Sequence, residues 1–215
     1  FLKCENDTSG NFQTTSLEVS KEHGNNTDKN YRWGYAKLLR NNTVFNREKQ
    51  EMLEMKRGLF IDIFPCDNVP DKFIAKKIFS LKCFWVRKNS YAPVGAKYES
   101  NKIYRLFYKI LSHNSLAYIR KLYDALACQC LDENTKRVRI VAWSSKRENE
   151  GFPRKWMEDR IEYEFEGHYF WGPKDSDGFL KFIYGNYMKL PPIDQRIPHS
   201  PATYVRLLDG TEIKQ

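Results

Sequence analysis

The order of apolar and polar positions divides the chain into a strand-rich start, a helical middle and a final strand, helix and loop. Residues 12–19 and 31–39 have the composition of strands, and the polar stretch 21–30 between them is typical of a surface loop. A third strand-like run, RGLFIDIFPCD, covers residues 57–67. We therefore expect a sheet region over residues 12–65.

The period of the apolar positions changes after residue 70. Apolar residues at intervals of three and four predict a helix that begins near Asp71, whose carboxylate is placed to cap it. The same spacing predicts a second helix over residues 103–126, within a helical region of residues 71–130.

Both predicted helices have basic residues opposite their apolar residues. Two interpretations are open: the basic faces lie against anionic lipid headgroups, or they are solvated faces over an apolar stripe packed in the core. The second is the simpler. The basic residues are Lys76, Lys77, Lys82, Arg105, Lys109, Arg120 and Lys121.

The last third of the chain predicts a strand or a hairpin over residues 161–170. A short helix is expected to begin at Asp175 or Ser176 and to end at Gly185. Asp175 and Asp177 resemble paired carboxylates that hold magnesium. Their position directly before an apolar run instead favours a capping role.

A proline-rich loop completes this region, which spans residues 161–201. It contains Arg196 and His199 and follows Tyr184 and Tyr187. These groups are suited to hold a phosphate and to stack on a base or sugar. The alternative is a structural wrap in which Arg196 pairs with a surface acid, and the sequence does not choose between the two.

Asp62 is the most unusual residue of the third strand, because it interrupts an apolar run between Ile61 and Ile63. Burying an unpaired carboxylate would cost several kcal/mol. We therefore expect Asp62 to face a cavity, a partner or a cation. The alternative is that it accepts hydrogen bonds from backbone amides of the turn that follows Pro65.

Length and composition limit the class of protein. The 215 residues, 41% of them hydrophobic, suit one domain or at most two small ones. Mean hydropathy is −0.69, and no apolar run approaches the ~20 residues that a membrane span requires. The five cysteines have no paired framework, which favours reduced thiols and a cytosolic setting.

The charge of the chain indicates a polyanionic partner. Its net charge is +9 and its pI about 9.2. Nucleic acid, an anionic membrane face and a nucleotide or phosphate substrate all fit this charge. With 15% aromatic residues, a nucleic-acid-binding module is one alternative function.

Several short motifs follow one another in a fixed order along the chain. They are WGYAKLLRNNT at 33–43, GLFIDIFP at 58–65, FEGHYFWGP at 165–173, FL at 179–180, YGNY at 184–187, PP at 191–192, Arg196 and His199. Together they resemble the LicD family of phospho-alcohol transferases. The resemblance covers most of the chain and is weakest in the helical middle.

The resemblance implies an α/β (α+β) fold, with a nucleotidyltransferase-like mixed sheet flanked by helices. It implies an enzyme that transfers a phospho-alcohol, such as phosphocholine from CDP-choline, to a glycan or lipid-linked glycan; the alternative is a non-catalytic scaffold subunit of glycan assembly. In such a fold, strand carboxylates hold Mg²⁺ or Mn²⁺ against the pyrophosphate. From the cysteines and the basic helices we expect a cytoplasmic location, with peripheral contact to an anionic inner membrane face as an option.

The resemblance also assigns roles to individual residues. Asp62 corresponds to a strand carboxylate that completes the metal site or activates the attacking sugar hydroxyl. The remaining matched positions are expected to bind the donor or the acceptor. These substrate-binding residues are Lys37, Arg40, Thr43, Lys174, Tyr184, Tyr187, Arg196 and His199.

The chain departs from the family pattern at one point. The acidic metal motif of the family is expected upstream of Phe1, so we interpret residues 1–215 as a single LicD-like domain that is incomplete at its N-terminus. Because Mg²⁺ sites typically use two carboxylates together with substrate phosphates, Asp62 alone would hold the ion weakly. We therefore expect this chain alone to be inactive.

Overall fold

A computed structural model of the chain describes residues 12–15, 30–131, 133–142, 151–196 and 201–214. It contains both helices and antiparallel sheets, so the predicted α+β class is confirmed. Every strand pair within these ranges is antiparallel. The nucleotidyltransferase-like arrangement stays a prediction. The chain divides into two compact units, which are described separately.

The first unit comprises Phe1–Pro65, Trp85–Asp124 and Pro198–Gln215. Its strands form two three-stranded sheets, with the orders β1-β2-β4 and β11-β10-β3. The strands are β1 (Phe12–Thr15), β2 (Ala36–Arg40), β3 (Val44–Arg47), β4 (Phe60–Ile63), β10 (Ala202–Arg206) and β11 (Glu212–Lys214).

The helices of the first unit are the second half of α1 (Phe73–Tyr98), then α2 (Lys102–Leu111) and α3 (Leu116–Ala127) up to Asp124. The prediction of one continuous helix over residues 103–126 is therefore wrong. Asn101 caps α2 by accepting hydrogen bonds from the backbone at 103 and 104. The Ser115 hydroxyl accepts one from the Tyr118 N–H at 3.2 Å, which favours a new helix start.

The second unit comprises Cys66–Phe84 and Ala125–Ile197. It contains a three-stranded sheet of order β5-β6-β7 and a two-stranded hairpin of β8 and β9. Its elements, besides the first half of α1, are β5 (Asp67–Asn68), β6 (Arg137–Arg139), β7 (Phe152–Pro153), α4 (Lys155–Glu158), β8 (Arg160–Phe165), β9 (His168–Pro173) and α5 (Ser176–Tyr184).

An aromatic cluster forms part of the core of the second unit. Phe152 and Trp156 each contact Phe179 and Phe182 of α5, with ring centroids 5.3 to 5.9 Å apart. Phe152 and Trp156 are themselves buried. The cluster thus fixes α5 against β7 and α4, because large aromatic rings bury much apolar area.

Local signals in the last third are confirmed. The hairpin β8–β9 turns at Glu166 and Gly167, whose φ angles of 52° and 76° suit a tight hairpin turn. The Asp175 carboxylate caps α5 by accepting a hydrogen bond from the Gly178 N–H at 3.0 Å. Gly185 ends the helix with a φ of 72°.

Helix α1 differs from its prediction in two ways. Among the described hydrogen bonds, Asp71 accepts only from the Lys136 N–H, at 3.1 Å, and from no N–H of the first turn of α1, so it does not act as the predicted cap. The apolar residues of α1 also do not form one packed stripe: Phe79 is fully buried, whereas Phe73 and Ile74 are each 73% exposed. No helix in the described ranges is long and apolar enough to cross a membrane.

Candidate functional site

The strand pairing of β2 with β4 places Lys37 directly opposite Asp62. Side chains opposite each other in an antiparallel pair lie on the same face of the sheet. The Lys37 ammonium donates a hydrogen bond to Asp62 Oδ1 at 2.6 Å, and the two side chains are 11% and 26% exposed. The cation expected near Asp62 is therefore a lysine of this chain.

The Lys37 ammonium also lies against aromatic rings. It is 3.4 Å from the ring centroid of Phe60 and 5.4 Å from that of Tyr35. Such contacts stabilise a cation that has lost water. Burial and then the nearby Asp62 carboxylate raise the pKa of Tyr35, so its hydroxyl stays protonated.

The charge state of Lys37 reflects opposing effects. Burial lowers its pKa most, the hydrogen bond to Asp62 raises it, and the positive charge of Arg47 lowers it again, so that the net direction is downward. Lys37 is thus held between an acid that favours its charge and a second cation that opposes it. An anion placed between Lys37 and Arg47 would relieve this repulsion.

A small cavity adjoins this lysine within the first unit. Its volume is about 40 Å³, and Lys37, Arg47, Lys56 and Arg57 all line it. Among the described residues that line the cavity, none is acidic. This volume is far below the roughly 300 Å³ of a typical ligand pocket, so a nucleotide would bind at the mouth of the cavity. We call these four residues the basic cluster.

Arg57 belongs to the basic cluster and also fixes the connection before β4. Its guanidinium donates to Asn46 Oδ1 and to the Leu53 carbonyl, both at 3.0 Å, and to the Glu51 carbonyl. These bonds hold the segment that carries Lys56. Arg57 therefore positions part of the cluster in addition to contributing its charge.

Thr43 and Arg40, both expected to bind substrate, lie where β2 turns into β3. The buried Thr43 hydroxyl donates to the Arg40 carbonyl at 2.7 Å and accepts from the Leu59 N–H at 2.9 Å. A Cβ at Gly58 would lie 2.8 Å from the Arg40 carbonyl oxygen, so glycine is required there. Thr43 thus holds the strands that align Lys37 with Asp62.

Four of the other predicted substrate-binding residues, Lys174, Tyr184, Tyr187 and Arg196, belong to the second unit. Tyr187 donates its hydroxyl hydrogen to Asp177 at 3.0 Å, and this bond raises its pKa. Arg196 donates to the Pro191 carbonyl at 2.9 Å, which differs from the surface ion pair considered above. Lys174 and Tyr184 have exposed side chains. His199 lies outside the described residues.

The residues do not fit a complete magnesium site. Within the described ranges, no group of three His, Cys, Asp or Glu side chains lies close enough to hold a metal ion. The carboxylate of Asp62 is already bonded to Lys37. Asp175 and Asp177 bond to the Gly178 N–H and to Lys181, as expected of helix-start residues.

Comparison with known proteins adds no relative. No protein-family model, curated protein or solved structure matches the chain. The resemblance to the LicD family therefore stays a prediction that depends on the motifs alone.

Three members of the basic cluster had no role in the sequence prediction. Arg47 ends β3, and Lys56 and Arg57 immediately precede Gly58. The available signal was the Lys-Arg pair at 56–57, where the predicted strand-like run begins. Arg47 comes from a different strand, so its proximity to Lys37 depends on the tertiary fold.

Proposed function

We propose that this chain binds the diphosphate of a nucleotide-linked donor, as part of a LicD-like transferase that moves a phospho-alcohol group onto a glycan. The observation that carries the proposal is the basic cluster, whose Lys37 is paired with Asp62, with no acidic residue among the described residues that line the cavity. Phosphate oxygens accept charge-assisted hydrogen bonds from Lys and Arg. The motif resemblance supplies the reaction class.

Lys37 contacts Asp62, whereas the phosphate is bound by other members of the basic cluster. Asp62 holds the ammonium at 2.6 Å, so the flexible side chain is already ordered. The phosphate is then bound by Arg47 and Lys56 at the mouth of the cavity. Lys37, which Asp62 already holds in place, adds positive charge inside the cavity beneath the phosphate. Its side chain therefore loses little further entropy when the phosphate binds.

The described residues do not form a complete metal site, so donor binding as proposed does not depend on Mg²⁺. The chain's own residues bind and orient the donor phosphates. Transfer in the proposed enzyme requires further carboxylates. Asp62 acts here as the positioning residue of Lys37.

Isothermal titration calorimetry tests the donor-binding step. We expect CDP and pyrophosphate to bind and cytidine not to bind, with affinity falling as salt rises. Arg47→Gln should weaken CDP binding about tenfold or more, the size of one lost charge-assisted hydrogen bond. The matched control is Lys49→Gln, because Lys49 is exposed and pairs with Glu48 at 3.5 Å.

Equal binding of cytidine and CDP, or an equal loss from the Lys49 control, would contradict the proposal. A transfer assay with CDP-choline, Mg²⁺ and a glycan acceptor tests the reaction class separately. Mass spectrometry of the acceptor would then show a phospho-alcohol adduct if the complete enzyme is of this class.

The alternative of a nucleic-acid-binding module gains less support. The second unit does expose aromatic rings, because Tyr169 and Trp171 of β9 are each 66% exposed. Their direct partners on β8 are Glu164 and Glu162, however. Carboxylates beside the rings would repel a phosphate backbone.

A further inference from the structure

Helix α1 has an exposed apolar face within the second unit. Phe73 and Ile74 are each 73% exposed, Ile78 is 49% exposed and Leu81 is 67% exposed. Ile74, Ile78 and Leu81 follow one another at intervals of four and three, which places them on one side of the helix. We call these four residues the α1 stripe.

The opposite side of the same helix is packed. Phe79 and Cys83 have no exposed surface. The α1 stripe is therefore not a loosely covered part of the core. It is a second apolar face of a helix whose first apolar face is already buried.

The charges of α1 all have one sign. Its sequence, FIAKKIFSLKCFWVRKNSYAPVGAKY, contains six basic residues and no Asp or Glu. Lys77 and Lys82 are exposed, and the Lys77 ammonium lies 5.4 Å from the ring centroid of Phe73. Basic groups thus border the α1 stripe directly.

We propose that the α1 stripe docks on an anionic lipid surface, with the helix lying in the plane of the interface. Its apolar side chains enter the boundary between headgroups and acyl chains, and its lysines extend to the lipid phosphates. The helix lies on the bilayer and does not cross it, since no helix of the described chain meets the requirements of a span.

Charge selects this partner over a second copy of the chain. Two copies joined through the α1 stripe would bring two wholly basic helices together, and like charges oppose that contact. An anionic bilayer attracts each basic residue near its surface. A flat interface also suits apolar side chains that lie along one side of a single helix.

Vesicle flotation tests the proposal with the whole chain. We expect binding to vesicles of phosphatidylcholine with about one third phosphatidylserine, and weak binding to phosphatidylcholine alone. The double variant Ile74→Ser, Leu81→Ser should weaken binding roughly tenfold for each side chain removed. Lys77→Gln should weaken it roughly fivefold at low salt.

A matched control removes equal apolar surface elsewhere in the second unit. Ile193 and Leu190 are 82% and 71% exposed, so Ile193→Ser, Leu190→Ser exchanges the same residue types at similar exposure. This control should bind vesicles as the wild type does. Arg47→Gln should also leave vesicle binding unchanged, which separates this proposal from that of donor binding.

Absence of wild-type binding to anionic vesicles would overturn the proposal, as would equal losses from the two serine pairs. Sedimentation in the absence of lipid provides a further test. If the wild type self-associates and Ile74→Ser, Leu81→Ser abolishes that association, the stripe is an interface between copies and the membrane proposal fails.

Discussion

The β2–β4 pair has a carboxylate in an apolar strand, and helix α1 has apolar side chains on its outer face. The two regions differ in how these unfavourable placements are satisfied. Asp62 interrupts an apolar strand, and Lys37 on the neighbouring strand satisfies it at 2.6 Å. The α1 stripe places apolar residues on the outside of a helix, and Leu81 there remains 67% exposed. The Asp62 carboxylate thus has its partner within the chain. The side chains of the α1 stripe stay exposed, which is why we propose an external surface for them.

The comparison shows that an unusual residue does not by itself reveal its partner. Asp62 suggested a metal ion from the sequence, yet the register of the sheet supplies an ammonium. The α1 pattern suggested a core stripe, yet only one of its two apolar faces is buried. In both cases, the partner depends on contacts between residues distant in sequence.

The largest expected change in stability concerns the buried and the exposed apolar faces of α1. Phe79→Ala should lower the free energy of unfolding by about 3–4 kcal/mol, because it leaves a cavity in the core. Phe73→Ala, at a side chain 73% exposed, should change it by less than about 0.5 kcal/mol. Urea denaturation of both variants measures the contrast, and similar losses would mean that the α1 stripe is packed.

The next largest change in stability concerns the ion pair of Lys37 and Asp62. Asp62→Ala leaves the Lys37 ammonium without its carboxylate partner and should cost about 2 kcal/mol of unfolding free energy. Glu48→Ala, which removes the exposed partner of Lys49, should cost under about 0.5 kcal/mol.

The double variant Lys37→Met, Asp62→Leu sharpens this test, because it removes both charges. It should recover most of the stability lost in Asp62→Ala. If the double variant is instead the less stable of the two, Lys37 is not the group that Asp62 satisfies.

The carboxyl group of Asp67 has a pKa that is raised by burial. Burial raises its pKa from 3.8 to about 6. The folded state therefore holds this proton more tightly than the unfolded state does, and stability is lost as pH rises from about 4 to 6. Asp67→Asn should be about 1–2 kcal/mol more stable than the wild type at pH 7.

Urea denaturation at intervals from pH 4 to pH 7 measures the pH dependence. The difference between Asp67→Asn and the wild type should grow across this window in favour of the variant. A difference that is constant with pH would show that burial does not raise the pKa of this group.

The smallest expected effect concerns the alignment of the strands. Thr43→Val keeps the side-chain shape but removes the hydroxyl that bonds to both Arg40 and Leu59. We expect a loss of about 1 kcal/mol, and weaker CDP binding if the strands that carry Lys37 and Asp62 shift. Thr43→Ser, which keeps the hydroxyl, is the control and should retain both hydrogen bonds.

The sequence predicted features whose cause is local. The hairpin turn at Glu166 and Gly167 and the cap of α5 by Asp175 each require only a few neighbouring residues. The break between α2 and α3 was missed although its signal, Ser115, was equally local. Helical periodicity continues across it and concealed the break.

Features that depend on tertiary contacts could not be read from the sequence. The basic cluster combines residues of β2, β3 and the connection before β4. Its members lie up to twenty residues apart in the chain, and no spacing rule unites them. Exposure of the α1 stripe likewise depends on which of two apolar faces the rest of the unit covers.

A crystal structure with bound pyrophosphate would show whether the basic cluster holds a diphosphate. We expect phosphate oxygens within hydrogen-bond distance of Arg47 and Lys56, with the Lys37–Asp62 contact retained near 2.6 Å. Pyrophosphate bound away from the basic cluster, or a Lys37 ammonium that leaves Asp62 to bind it, would refute donor binding at this cavity.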